Sequence, residues 1–194
     1  MEASYYGKLE VIKLLLDTRA DPNKKAGDIC QLLRALHIIP LGAALANGNE
    51  TKATADIIRL LLESGAEVDG GNDWRLIPLM QASNRGLLES VKLLLNAGAD
   101  PNAKGGRYGS PLGAAADDNR IEVLNLLLDS GAEVDGGDEE HGTPLMQAVY
   151  SNECESVMLL LDSRADPNAR GGDYGGPLRA AVASLDLWRD REGQ

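Results

Sequence analysis

Residues 105–116, GGRYGSPLGAAA, place two glycines, a Tyr-Gly pair and a proline directly before an alanine-rich run that is typical of a helix. Glycine-rich loops that open a helix bind phosphate in many proteins, because backbone N–H groups and the helix dipole point at the anion. Glycine also permits the left-handed backbone angles that tight turns need. The remainder of the chain decides between a nucleotide site and a structural turn.

The chain repeats with a period of 33 residues. Leucine triplets begin at Leu60, Leu93, Leu126 and Leu159, each 33 residues after the one before. The glycine-rich stretch recurs at twice that spacing, because GGDYGGPLRAAV occupies residues 171–182. A fixed period of this size indicates stacked supersecondary units.

A second form of the glycine-rich stretch alternates with the first. It reads GGNDWRLIPLMQAS at residues 70–83 and GGDEEHGTPLMQAV at residues 136–149. The glycines therefore recur in every unit, whereas a phosphate-binding loop is needed only once. No Lys-Ser or Lys-Thr pair follows them, as it does in a P-loop. We interpret the opening stretch as a structural turn.

Each unit predicts two short helices. A proline is expected in the first turn of the first helix, where its missing N–H has no helical partner. A residue able to adopt a left-handed conformation is expected to end that helix. The prolines are Pro40, Pro78, Pro111, Pro144 and Pro177, and the left-handed residues are Gly7, Gly48, Gly86, Asn119 and Asn152.

The segments TPLMQA at residues 143–148, LLLDSGAEVD at 126–135 and LLLNAGADPNA at 93–103 closely resemble the ankyrin repeat. The resemblance implies an all-α solenoid of stacked helix-turn-helix units with finger turns. The paired GGxYG form is similar to ankyrin arrays of filamentous fungi.

We expect residues 1–194 to form a single array. Its divisions are a partial unit at 1–23, a long unit at 24–69, units at 70–102, 103–135 and 136–168, and a partial unit at 169–194. The long unit carries two insertions, one in the finger at residues 24–39 and one between the helices near residues 50–54. The apolar residues of the first have helical spacing, which predicts an extra short helix there.

The chain departs from the ankyrin pattern at the histidine that follows Pro-Leu and ties down the finger turn. Its positions hold Gly42, Met80, Gly113, Met146 and Arg179. We expect glycines and turn-forming side chains to replace it, with Asp69, Asn102, Asp135 and Asn168 as the candidates.

A second departure concerns the end of the second helix. Arg19 and Arg164 stand where neighbouring units have Gly98 and Gly131. A residue other than glycine in that left-handed position costs on the order of 1 kcal/mol.

The formal net charge of -11 argues against binding to duplex DNA or an anionic membrane surface, since both depend on Lys and Arg. It leaves protein partners with a basic or helical segment open. Cys30 and Cys154 lie far apart and form no CxxC pair, so we expect buried, reduced thiols. Such thiols favour an intracellular protein, either cytoplasmic or nuclear.

No catalytic, cofactor-binding or metal-binding motif is evident, so we expect no enzyme activity, no cofactor and no metal. His141 sits beside Glu139 and Glu140 in the sequence DGGDEEHG. This cluster is either a charged hairpin tip or an acid–base pair or weak cation site.

The ankyrin resemblance implies a concave groove, formed by the finger tips and the exposed side of the first helices. Trp, Tyr and Arg are the residue types that most often anchor interfaces. For Tyr108 and Tyr174, packing on a neighbouring finger is the alternative to contact with a partner. The predicted groove residues are Asp73, Trp74, Arg75, Arg85, Arg107, Tyr108, Asp117, Asp118, Glu139, Glu140, Tyr150 and Tyr174.

These observations favour a non-catalytic scaffold that binds another protein or peptide in the groove. One alternative is the ligand-sensing part of a larger fungal signalling protein. The other is a small enzyme on an ankyrin scaffold, with a pocket beneath the inserted helix near Cys30 and His37.

Overall fold

The computed structural model describes residues 10, 13, 14, 17, 52–69 and 77–192. Eight helices have defined bounds within these residues. They are α1 (Lys52–Glu63), α2 (Pro78–Arg85), α3 (Leu88–Asn96), α4 (Pro111–Asp117), α5 (Ile121–Asp129), α6 (Pro144–Tyr150), α7 (Cys154–Asp162) and α8 (Pro177–Glu192).

The helices form two layers. The first helices α2, α4, α6 and α8 pack side by side in chain order, and the second helices α1, α3, α5 and α7 form the other layer. Strand structure within the described ranges is limited to two isolated bridges, Gly105 with Gly109 and Asp138 with Gly142, which close the fingers. The predicted all-α solenoid of helix-turn-helix units with finger turns is confirmed.

The first helices begin where the prolines predict. Pro78, Pro111, Pro144 and Pro177 each occupy the first helical residue. In α4 the Ser110 hydroxyl also caps the helix by accepting the backbone N–H of the third helical residue at 3.0 Å. Proline thus fixes the backbone angle at the helix start without the loss of a helical hydrogen bond.

The first helices also end as predicted. Gly86, Asn119 and Asn152 have φ of 70°, 52° and 61°, all in the left-handed region. Asn119 has a second role, because its side-chain oxygen accepts the backbone N–H and the hydroxyl of Ser156 at 3.1 and 2.8 Å. The residue that ends α4 therefore also binds the start of α7 in the next unit.

The core is built from small and branched aliphatic residues at equivalent positions of successive units. The leucine after each internal proline is buried, as is the middle leucine of each triplet in α3, α5 and α7. Alanines with no exposed surface let neighbouring first helices approach closely. These core residues include Leu79, Leu112, Leu145, Leu94, Leu127, Leu160, Ala82, Ala115 and Ala148.

Polar side chains stabilise the turns, and several of their hydrogen bonds join one unit to the next. The Asp69 and Asp135 carboxylates each accept a backbone N–H from the residue 31 positions later. The side chain of Asn102 bonds two backbone groups of the turn one unit later, at 2.8 and 3.1 Å. Asn168 instead donates its backbone N–H to Asp166 within its own turn. The turns are therefore held partly by their neighbours.

The two unit types replace the missing histidine differently. Where Met146 takes its place, the side chain of Gln147 donates to the finger carbonyl of His141 at 2.8 Å. Where Gly113 takes its place, the Tyr108 carbonyl lies against the helix start. A Cβ on Gly113 would come within 2.4 Å of that oxygen.

The end of the second helix is left-handed in each described unit. Arg164 has φ of 72°, and its glycine equivalents Gly98 and Gly131 have φ of 92° and 90°. The predicted left-handed arginine is confirmed.

Some predictions fall outside the described residues. They concern Gly7, Arg19, Cys30, His37, Pro40, Gly42, Gly48 and the extra helix within residues 24–39.

We predict that Arg164→Gly raises the free energy of unfolding by about 1 kcal/mol, because glycine adopts the left-handed conformation without strain. The matched variant Gly131→Arg should lower it by a similar amount, since a Cβ there meets no atom within 4 Å and only backbone strain is added. Chemical denaturation measures both. An unchanged or lowered stability of Arg164→Gly would show that the arginine is not strained.

We predict that Gly113→Ala destabilises the protein by roughly 1–3 kcal/mol, because the new methyl group overlaps the Tyr108 carbonyl. At an unhindered helical position the same change stabilises by about 0.5–1 kcal/mol. Asn125→Ala, at an exposed position of α5, is the control and should leave the stability nearly unchanged. A Gly113→Ala variant as stable as the parent would contradict the close approach.

Candidate functional site

A cavity of about 620 Å³ opens between α2 and the two fingers that follow it. It contains four of the predicted groove residues, Arg85, Arg107, Tyr108 and Glu140. Its lining consists of Met80, Gln81, Asn84, Arg85, Gly106, Arg107, Tyr108, Glu140 and His141.

The cavity combines one helix face with the fingers of later units. Residues 80, 81, 84 and 85 share one face of α2 because they are one helical turn apart. The end of α2 is held in place by Arg120, whose Nε donates to the Asn84 carbonyl at 3.0 Å. The Asn84 amide in turn donates to the Ala114 carbonyl of α4 at 3.4 Å.

Tyr108 has two arginines near it, Arg107 and Arg85. The Arg107 guanidinium carbon is 5.1 Å from the centre of the Tyr108 ring, within the range of a cation–π contact. Burial raises the pKa of the Tyr108 hydroxyl, although the charges of Arg107 and Arg85 act in the opposite direction. The hydroxyl is therefore protonated at neutral pH and can donate a hydrogen bond into the cavity.

The Asp117 carboxylate is engaged within the chain. The hydroxyl of Ser151 donates to it across adjacent first helices, and Arg107 lies 3.9 Å away. Burial raises the pKa of Asp117, while the Ser151 hydrogen bond and the charge of Arg107 lower it.

The Asp118 carboxylate is also engaged. Arg120 lies 3.4 Å from it, and the side chain of Asn84 donates to it at 3.2 Å. Both carboxylates that end α4 are therefore already committed to partners within the array.

In the finger at residues 138–142, the carboxylate that bonds His141 is not the one next to it in the sequence. His141 bonds Asp138, whose carboxylate lies 2.9 Å from Nδ1 and also accepts the His141 backbone N–H. Nε2 lies 4.0 Å from Glu140, and the Glu139 side chain is exposed. Among the described residues, no group of three or more His, Cys, Asp or Glu could hold a metal ion.

Tyr150 and Tyr174 form a stacked pair. Their ring centres are 4.9 Å apart and their planes differ by 22°. Burial, a hydrogen bond with the Tyr150 hydroxyl and nearby negative charge raise the pKa of Tyr174 to about 12. Tyr174 therefore packs on the end of the first helix of the preceding unit, whereas the alternative to partner contact had been packing on a neighbouring finger.

Two groups of residues remain: predicted ones without a described position, and cavity-lining ones that the sequence analysis missed. Asp73, Trp74 and Arg75 lie outside the described residues. Met80, Gln81 and Gly106 line the cavity but were not predicted. The helical spacing of positions 80 and 81 relative to 84 and 85 was a usable signal for the first two.

The expectation of a buried thiol is wrong for Cys154, whose side chain is exposed. α7 buries Ser156 and Leu160, which are one turn apart. Cys154 precedes Ser156 by two residues, or about 200° around the helix, and so lies on the opposite face.

The fold defines a class: helical repeat proteins built from stacked helix-turn-helix units with finger turns. The family model for ankyrin repeats (3 copies) matches residues 1–105 and 79–171. The chain belongs to the ankyrin repeat family. Ankyrin repeats are generally protein–protein interaction modules. No curated protein matched the chain.

Within the described segments, none of the helices has the length and apolar character needed to cross a membrane.

We predict that Asp117 makes the protein less stable as pH rises. Because its pKa is raised in the folded state, the folded protein holds this proton more tightly, and stability falls as pH rises from the ordinary aspartate range through the raised pKa. The free energy of unfolding of the parent minus that of Asp117→Asn should therefore be larger at pH 3.5 than at pH 6. Denaturant titrations at both values measure it, and the reverse trend would contradict the raised pKa.

Proposed function

We propose that the protein is a non-catalytic interaction scaffold, which binds a partner protein or peptide in the concave groove of the first helices and fingers. The observation that carries this proposal is the open cavity that brings Arg85, Arg107 and Tyr108 together. Arg and Tyr are the residue types that dominate binding energy at interfaces, above all when they border a pocket.

Preorganisation supports the proposal. Contacts between units fix the groove side chains before any partner arrives, as in the stacking of Tyr150 on Tyr174 and the hydrogen bond from Ser151 to Asp117. Binding to a surface that is already ordered loses less conformational entropy.

The finger tips favour basic residues in the partner. The side chains of Glu139, Glu140 and Asp173 are exposed at the tips of two successive fingers. They add to a chain whose net charge is -11. Such a surface attracts Lys and Arg and repels nucleic acid and anionic lipid.

Further predictions from the sequence accompany this proposed function. The single array over residues 1–194 and its unit boundaries remain predictions, as does the likeness to fungal arrays. The pocket of the enzyme alternative, near Cys30 and His37, falls outside the described residues.

The proposal is tested by affinity capture from lysate of the cells that express the protein. The immobilised chain is compared with a groove variant, Arg107→Ala/Tyr108→Ala/Glu140→Ala. A matched control variant, Lys92→Ala/Glu122→Ala/Asn125→Ala, alters exposed residues of the second helices. We expect a protein that the parent and the control retain and the groove variant loses.

The retained protein is then purified and its affinity for all three forms is measured. Loss of groove anchors should weaken binding by about tenfold or more, because each anchor contributes on the order of 1 kcal/mol or more. Equal binding by all three forms, or loss only in the control variant, would refute the groove as the binding surface.

A further inference from the structure

We propose that the cavity beside Tyr108 binds one carboxylate side chain, Asp or Glu, of the partner segment. This inference rests on the proposed function and specifies the chemistry of the partner. It predicts a segment in which a single acidic residue stands among basic and apolar ones.

The place equivalent to the cavity two units later is occupied by a pair of stacked tyrosines. Positions 66 residues apart occupy the same places in the two paired units. In the later pair, Tyr150 stacks on Tyr174. In the earlier pair, the smaller Asn84 stands in place of Tyr150, and Tyr108, the equivalent of Tyr174, borders an open cavity.

The charges at the two places also differ. Arg85 and Arg107 line the cavity, whereas their equivalents in the later pair are Ser151 and Asp173. In a chain that carries 19 basic and 30 acidic residues, this pair of arginines makes the cavity a basic site inside an acidic surface.

Arg85 and Arg107 have hydrogen-bond donors that no acceptor in the described residues uses. The Nε of Arg85 is buried and has no hydrogen-bond partner in the described part of the chain. The Arg107 side chain is 77% exposed, and its 3.9 Å distance from Asp117 is too long for a hydrogen bond. A buried N–H without an acceptor is unfavourable, and a carboxylate in the cavity would satisfy it once the Arg85 side chain turned its Nε toward the cavity.

Neighbouring carboxylates do not supply that acceptor. Asp118 is held by Arg120 and Asn84, and Asp117 by Ser151. The Glu140 side chain is 82% exposed and extends beside His141. Among the described residues, therefore, no carboxylate supplies this acceptor.

The surroundings of the cavity favour a ligand group with one negative charge over a group with two. Asp117 and Glu140 lie close to the arginines, so a dianionic group such as a phosphate would meet two like charges. A planar carboxylate carries one charge and matches the fork of a guanidinium group. Met80 and the Tyr108 ring add apolar surface for the methylene groups and an adjacent apolar residue.

The test uses a random dodecapeptide library displayed on phage and selected on the full chain. We expect enriched peptides to share one Asp or Glu, with Lys or Arg nearby to meet the finger-tip carboxylates. A synthetic peptide with that residue changed to its amide should bind roughly 10- to 100-fold more weakly, the range for a hydrogen-bonded charge. A phosphoserine at the same position should bind no tighter than the carboxylate.

Three variants of the protein locate the effect. In Arg85→Gln/Arg107→Gln the acidic peptide and its amide form should bind about equally weakly. Arg85→Lys/Arg107→Lys keeps both charges but loses the forked guanidinium groups. It should therefore show only part of the parent's preference for the acidic peptide over the amide form. Glu139→Gln/Glu140→Gln should keep the full discrimination. Thermal denaturation of each variant establishes that it is folded, and the Lys variant carries the test should the Gln variant unfold.

The outcomes separate the two proposals. Peptides that bind the groove but lose less than threefold on the amide change would overturn the carboxylate site and leave the proposed function standing. A tighter phosphoserine peptide would overturn the preference for a single charge. If no peptide is enriched, or if enriched peptides bind the Arg107→Ala/Tyr108→Ala/Glu140→Ala variant as well as the parent, both proposals fail.

Discussion

The close packing of neighbouring first helices is the interaction on which the rest of the structure depends. It is possible because Ala82, Ala115 and Ala148 have no exposed surface and present only a methyl group to the adjacent helix. Two short helices cannot bury their apolar face alone, so each unit requires its neighbours. The spacing between first helices also sets the spacing between fingers. The cavity follows from this geometry, because the end of one first helix meets the finger of the next unit.

The sequence predicted the features that are local and recur. Proline at the first helical residue, and Asn119, Asn152 and Arg164 in left-handed conformations, follow from backbone constraints within a few residues of each position. Contacts between units were harder to predict. The stacking of Tyr150 on Tyr174 joins residues 24 positions apart whose pairing depends on how two units are placed together. Burial was misjudged at Cys154, which lies between Glu153 and Glu155 on the face of α7 opposite Ser156 and Leu160.

Charge shows the difference between a global property and a local site most clearly. The net charge of -11 favours an acidic surface, and the side chains of Glu139, Glu140 and Asp173 are exposed at the finger tips. The cavity beneath them is bordered by Arg85 and Arg107, whose side chains come from different units. The duplicated pair of units makes this contrast visible, because the same framework holds Ser151 and Asp173 two units later.

The central claim is that a partner contacts the face formed by the first helices and fingers. Photocrosslinking in the cells that express the protein tests this most directly, with p-benzoylphenylalanine placed at Tyr108 or, as the matched position in the other layer, at Asn125. Our account predicts a crosslinked protein from position 108 and none from position 125, since residue 108 borders the cavity and residue 125 is exposed on α5. Crosslinks from position 125 alone would place the partner on the second helices and contradict the account.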